Sequence, residues 1–150
     1  MTFRLSPLAL VLALAVVAGC SPKPPAGADA ALDAAAKEPG AIVTPSGLVF
    51  KSIKDGSGPS PKATDNVKVN YKGTLVDGTK FDASADHGGP ISFPLDHVIP
   101  CWTEGVQKLK VGGTAKLTCP SAIAYGSAGA GGVIPPNATL VFEVELVAIN

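Results

Sequence analysis

Six aromatic side chains carry the most chemistry this sequence can offer in concert: Tyr71, Phe81, Phe93, Trp102, Tyr125 and Phe142, out of eight aromatic residues in all. They come from segments far apart in the chain, so a fold that gathers them makes either a plain aromatic core or a water-poor hollow lined with rings. The residues alone leave both open. Other chemistry finds little support. There is no Gly-x-Ser-x-Gly elbow, no Walker A loop and no His-Glu-x-x-His, and Cys20, Cys101 and Cys119 lie too far apart for a zinc knuckle. His87 and His97 have no cysteine or carboxylate cluster around them and read as surface or loop histidines. Gly129-Ala130-Gly131-Gly132 departs from the dinucleotide fingerprint, and Asn137-Ala138-Thr139 is a weak glycosylation sequon. No metal and no cofactor is expected.

The elements that must position these rings are mostly strands. Between Asn66 and Val76, Val67, Val69, Tyr71 and Leu75 alternate with Lys68, Asn70, Lys72 and Thr74, the pattern of a half-buried antiparallel strand. Asp77-Gly78 then predicts a hairpin, with Thr79 to Asp82 beginning the return. Ala115, Leu117 and Cys119 predict the buried side of a strand over 114–119, with Lys116 and Thr118 in solvent. Leu140, Phe142, Val144, Leu146 and Ala148 predict the last strand, with Glu143 and Glu145 opposite, and Leu48 to Lys54 predicts another. Trp102, Val106 and Leu109 at i, i+4, i+7 predict one helix, stopped by Gly112-Gly113. One short helix covering the apolar side of a curved antiparallel sheet is an α+β domain. The Gly-, Ala- and Pro-rich stretch from Pro120 to Ala138 reads as a long functional loop.

The N-terminus has a different character. Arg4, the apolar run Leu8–Val17 and the small residues Ala18 and Gly19 predict a secretory signal peptide over 1–19, too short to span a bilayer. Val17-Ala18-Gly19-Cys20 resembles the bacterial lipobox. The resemblance implies acylation of Cys20, and Ser21 after it implies the outer membrane, facing the periplasm. Residues 20–43 read as a tether: Ser21-Pro22-Lys23-Pro24-Pro25 is stiff, and the Ala-rich 28–37 lacks an apolar stripe. The folded domain is expected over 44–150, as a monomer. Twelve basic and twelve acidic residues give net charge +0, which argues against nucleic acid as a partner.

The run Val69-Asn70-Tyr71-Lys72-Gly73-Thr74-Leu75 with Asp77-Gly78, then Phe81-Asp82, Val98-Ile99-Pro100-Cys101-Trp102-Thr103-Glu104-Gly105, Ala124-Tyr125-Gly126 and Ile134-Pro135-Pro136-Asn137-Ala138-Thr139-Leu140 resembles the FKBP-type peptidyl-prolyl cis-trans isomerases. Val141-Phe142-Glu143-Val144-Glu145-Leu146 completes the likeness, which spans 44–150 in family order. It implies a half-open antiparallel sheet wrapped around a short helix. It also implies isomerisation of prolyl bonds in unfolded or partly folded envelope proteins, and macrolide ligands such as rapamycin.

Position by position, the resemblance places a proline pocket on Tyr71, Phe81, Asp82, Ile91, Val98, Ile99, Trp102, Tyr125, Ile134 and Phe142. Trp102 would be its floor, and Tyr71, Phe81 and Phe142 its walls. The Ile99 amide and Tyr125 hydroxyl would hold substrate carbonyls, and Asp82 would be the charged group at the rim. Ile91 stands where many members carry a second pocket phenylalanine, and the Leu95–Val98 loop is shorter than in the best-known eukaryotic members. His87 replaces a basic residue often found near the site, so no partnership with Asp82 is carried over. Cys101 stands where a glycine commonly precedes the tryptophan. With Cys20 acylated, Cys101 and Cys119 are the remaining thiols. In an oxidising envelope they suggest a disulfide closing a loop of about 19 residues, although Cys119 also fits a reduced core position. The competing function is a non-catalytic chaperone or protein-binding module using the same groove.

Overall fold

The computed structural model describes residues 27–150. The expected signal peptide and Cys20 lie outside the described residues. Two helices and seven strands follow in order: α1 (Ala28–Ala36), β1 (Ala41–Val43), β2 (Val49–Lys54), β3 (Asn66–Leu75), β4 (Lys80–Ala83), β5 (Ile91–Pro94), α2 (Pro100–Val106), β6 (Thr114–Cys119) and β7 (Leu140–Ile149). All strands join one antiparallel sheet in the order β1-β2-β6-β7-β3-β4. Strand β3 is its spine. One edge pairs with β7 over its whole length, while the other is shared by β5 at Asn66–Val69 and β4 at Lys72–Thr74. That sharing bends the sheet around α2, with register shifts at Lys68/Val69 and Gly73/Thr74.

The core lies between α2 and the sheet. Val67, Val69, Leu95, Val106, Ala115, Leu117, Leu140, Val144 and Leu146 are all fully buried there, as the period-two alternation of β3, β6 and β7 requires. Helix α2 opens with Pro100 at its first turn, a position that has no intrahelical N–H bond to lose. It ends at Val106, earlier than the spacing predicts, because Leu109 folds back on a tight turn to the Val106 carbonyl and still reaches the core. Gly105 lets the helix sit down: a Cβ there would lie 2.8 Å from a Leu117 methyl.

Residues 28–43 differ from the expected spacer. Helix α1 packs on β1, β2 and β6, burying Ala28 and Ala35, and β1 pairs with β2. The face it buries is narrow and made of small side chains, and an ion cluster adds to its hold on the sheet. Glu38 just beyond it accepts from Lys116 at 2.6 Å and Lys51 at 2.8 Å. Thr118, expected in solvent, is buried on this covered face. The hydrogen bonds from Lys116 and Lys51 pull the Glu38 carboxyl down to about 2. A depressed carboxyl stabilises above its unfolded pKa and loses that contribution as pH falls through its folded one. The half-exposed cluster contributes no more than about 1 kcal/mol. A Glu38→Gln protein is therefore expected to melt a few degrees below the parent at pH 7 and low salt, with the gap closing between pH 4.5 and 2. Calorimetry across that range checks it, and a gap that is constant with pH rules the ion cluster out as its source.

Candidate active site

The strands and α2 bring five rings to one place. Trp102 projects from the first turn of α2 and is 5% exposed. The rings of Tyr71 from β3, Phe142 from β7 and Phe93 from β5 stand edge-on to it, with centroids at 5.1, 5.4 and 5.7 Å. Phe81 from β4 meets Phe142 at 5.6 Å, again edge to face. Such pairs hold each ring at a fixed angle, so the hollow between them is kept by packing. Gly73 is part of that arrangement. A Cβ on it would come within 2.5 Å of the Phe81 ring and 2.9 Å of the Phe142 ring, so only glycine lets both rings lie over β3.

The hollow is about 460 Å³ and is lined by Tyr71, Phe81, Asp82, Phe93, His97, Val98, Ile99, Trp102, Tyr125 and Phe142. That volume lies within the range of small-ligand pockets. The Trp102 indole N–H is buried without a partner among the described residues, so the floor presents ring surface and no accessible donor. At the mouth, the Ile99 N–H makes no hydrogen bond among the described residues, and Tyr125 is 40% exposed.

One carboxylate closes the rim. Asp82 Oδ2 accepts the Tyr71 hydroxyl at 2.7 Å, and Oδ1 accepts the Ala83 N–H at 2.9 Å and lies 2.8 Å from His87 Nε2. Partial burial pushes the Asp82 carboxyl up, but the donors Tyr71, His87 and Ala83 outweigh it, so the net shift is downward. Burial, and then the bond to Asp82, push the Tyr71 phenol well above its ordinary range, so it stays a donor.

Eight of the ten residues placed in the pocket from the sequence line it, and two do not. Ile91 shares a face of β5 with Phe93, but the larger Phe93, opposite Val67, is the one that reaches Trp102. Phe93 was visible in the sequence as a member of the aromatic set two residues on. Ile134 belongs to the 120–138 loop itself, bridges to Ala130 and turns its side chain into the core. His87 does partner Asp82, because a tight turn over Ser84–His87 folds the imidazole back onto β4. His97 is a lining residue with no sequence signal that set it apart. Cys101 and Cys119 are bonded, with Cα atoms 5.9 Å apart. No group of three or more potential metal ligands and no helix long and apolar enough to cross a membrane occur among the described residues.

Residues 58–147 match the family model for FKBP-type peptidyl-prolyl cis-trans isomerase. The FKBP-type peptidyl-prolyl cis-trans isomerase FkpA of Aeromonas hydrophila is 58% identical over 119 residues, 79% of this chain and 44% of that protein. The outer membrane protein MIP of Legionella longbeachae is 44% identical over 122 residues, 81% of this chain and 52% of its own. The crystal structure of FkpA from Escherichia coli superposes with a TM-score of 0.80 at 49% identity, covering 83% of this chain and 58% of that one. The chain thus spans about half the length of these relatives.

Proposed function

Because the chain belongs to the FKBP-type peptidyl-prolyl cis-trans isomerase family, we propose that its aromatic hollow accelerates rotation about prolyl bonds in unfolded or partly folded polypeptides of the bacterial envelope. The observation that carries the reading is the open hollow floored by Trp102, walled by four further rings and rimmed by one fixed carboxylate.

Rotation about a peptide bond costs about 18 to 20 kcal/mol because resonance flattens the C–N bond, and prolyl bonds turn in tens to hundreds of seconds. A planar amide has a large dipole that water solvates well. The twisted amide has less charge separation, so a water-poor ring-lined site disfavours the planar state more than the transition state. The proline ring rests on Trp102, while the Ile99 N–H and the Tyr125 hydroxyl hold the neighbouring carbonyls. Asp82, kept ionised and fixed by Tyr71 and Ala83, faces the twisting amide. A hundred- to ten-thousand-fold acceleration asks for only about 3 to 5 kcal/mol, within reach of desolvation and two aimed hydrogen bonds. Every residue of this site comes from one chain, so the reading requires no second copy.

The envelope address rests on the leader-like residues 1–19 and on the relatives named above. The lipid anchor at Cys20 would bring the domain close to the membrane. The chain between Cys20 and α1 is about seven residues, a reach of roughly 25 Å at full extension, because α1 and β1 belong to the domain. The test is the cis-to-trans rate of a short Phe-Pro or Leu-Pro peptide, with and without rapamycin. Micromolar protein is expected to raise the rate, and the macrolide, seated on Trp102, to abolish the gain. A peptide rate unchanged by the protein would leave only the binding-module reading.

A further inference from the structure

We propose that His87 is a positioning residue for Asp82 whose protonation sets the charge at the rim of the proline cavity, so that selectivity for the residue preceding proline changes with pH. The proposal rests on the isomerase reading above. Asp82 Oδ1 lies 2.8 Å from His87 Nε2, and the same carboxylate holds the Tyr71 hydroxyl and the Ala83 N–H. An ionised carboxylate can only accept, so Nε2 carries a hydrogen whether the imidazole is neutral or cationic. The hydrogen bond therefore persists through the titration of the ring. What changes is the sum of the two charges, from −1 with neutral imidazole to zero with imidazolium.

The surrounding groups do not mask this change. From β3, Tyr71 faces the carboxylate as a neutral phenol. In the turn carrying His87, Asp86 is tied to Lys80 of β4 at 2.9 Å, a pair that sums to zero. Across the cavity stand Tyr125 and His97, the latter 3.8 Å from Asp96. The imidazoles at this mouth are those of His87 and His97, and imidazole is the side chain whose reference pKa lies closest to neutrality. His87 and Asp82 are both solvated, with side chains 53% and 41% exposed. A single unit charge read through such a high-dielectric rim is a severalfold effect, not a thousandfold one.

The experiment compares kcat/KM for a Lys-Pro and a Glu-Pro peptide, otherwise identical, by exchange NMR at low ionic strength. Both peptide side chains stay charged across this pH range, so only the protein titrates. A His97→Gln background removes the second imidazole. In that protein the Lys-Pro to Glu-Pro ratio is expected to rise roughly fivefold from pH 5.5 to 8, about the weight of one near-surface charge. His87→Arg should hold the ratio at its acid value throughout, and His87→Gln at its alkaline value. A purely structural role would shift both peptides together and leave the ratio flat. A flat ratio in the His97→Gln protein, or one that still varies in both His87 variants, overturns the proposal and leaves the isomerase reading intact. Failure to turn over any prolyl peptide at every pH removes both.

Discussion

Phe142→Leu protein is expected to fold and yet turn prolyl peptides over about 10- to 100-fold more slowly, a loss of roughly 1.4 to 2.7 kcal/mol in transition-state stabilisation. Phe142 meets both Trp102 and Phe81 edge-on and is 4% exposed, so its ring forms one wall of the hollow and also seals it from behind. Leucine keeps an apolar side chain of moderate volume at a fold cost usually below about 1.5 kcal/mol. It cannot reproduce the flat edge that excludes water beside Trp102. If desolvation of the planar amide supplies a large part of the 3 to 5 kcal/mol estimated above, that edge matters more to rate than to stability. Alanine is expected to do both kinds of damage, costing about 3 to 5 kcal/mol of folding free energy in addition to activity. Thermal melting and peptide kinetics measured on the same samples separate the two effects. A leucine variant with undiminished kcat/KM would show that the hollow does not work by keeping water out.

Most of what positions this site can be read from single residues, because it depends on alternation. Tyr71 and Phe142 sit on the buried phase of period-two strands, and Trp102 on the buried stripe of a helix, so which way each ring faces follows from its neighbours in sequence. That the rings leave a hollow does not follow. It depends on Gly73 lying beneath Phe81 and Phe142, a contact between residues up to 69 positions apart. The resemblance to a known family implied the hollow that alternation left open. It erred at Ile91, where size decides which of two residues on one face of β5 reaches the cavity. Helix α1 was illegible for another reason. Nine alanine-rich residues offer only the narrow face of Ala28 and Ala35, and the lysines from β2 and β6 that close on Glu38 make a long-range contact that no local pattern encodes. His87 shows the same limit, since only the turn over Ser84–His87 brings it to Asp82.

Reduction of the Cys101–Cys119 bond is expected to lower the folding free energy by about 3 kcal/mol, from the entropy of a loop of about 19 residues. For a domain of this size that is about 10 °C in Tm. The bond joins the first turn of α2 to the end of β6, and both cysteines are fully buried. Neighbouring contacts will not replace it easily. Helix α2 is only seven residues long, too short to hold itself, and relies on its seat against Leu117 and on this link. Because Trp102 follows Cys101 directly, loosening the helix start also frees the floor of the cavity. Turnover should therefore fall on reduction by more than the loss of folded protein explains, while the oxidised parent is unchanged by buffer alone. Comparing the oxidised protein with the same protein reduced under denaturing conditions and refolded in excess thiol avoids any change in side-chain volume, which a Cys101→Ala and Cys119→Ala pair would introduce. Equal melting temperatures for the two forms would mean that packing alone holds α2, and equal turnover per folded molecule would mean that the indole is fixed by its aromatic neighbours and not by the bond beside it.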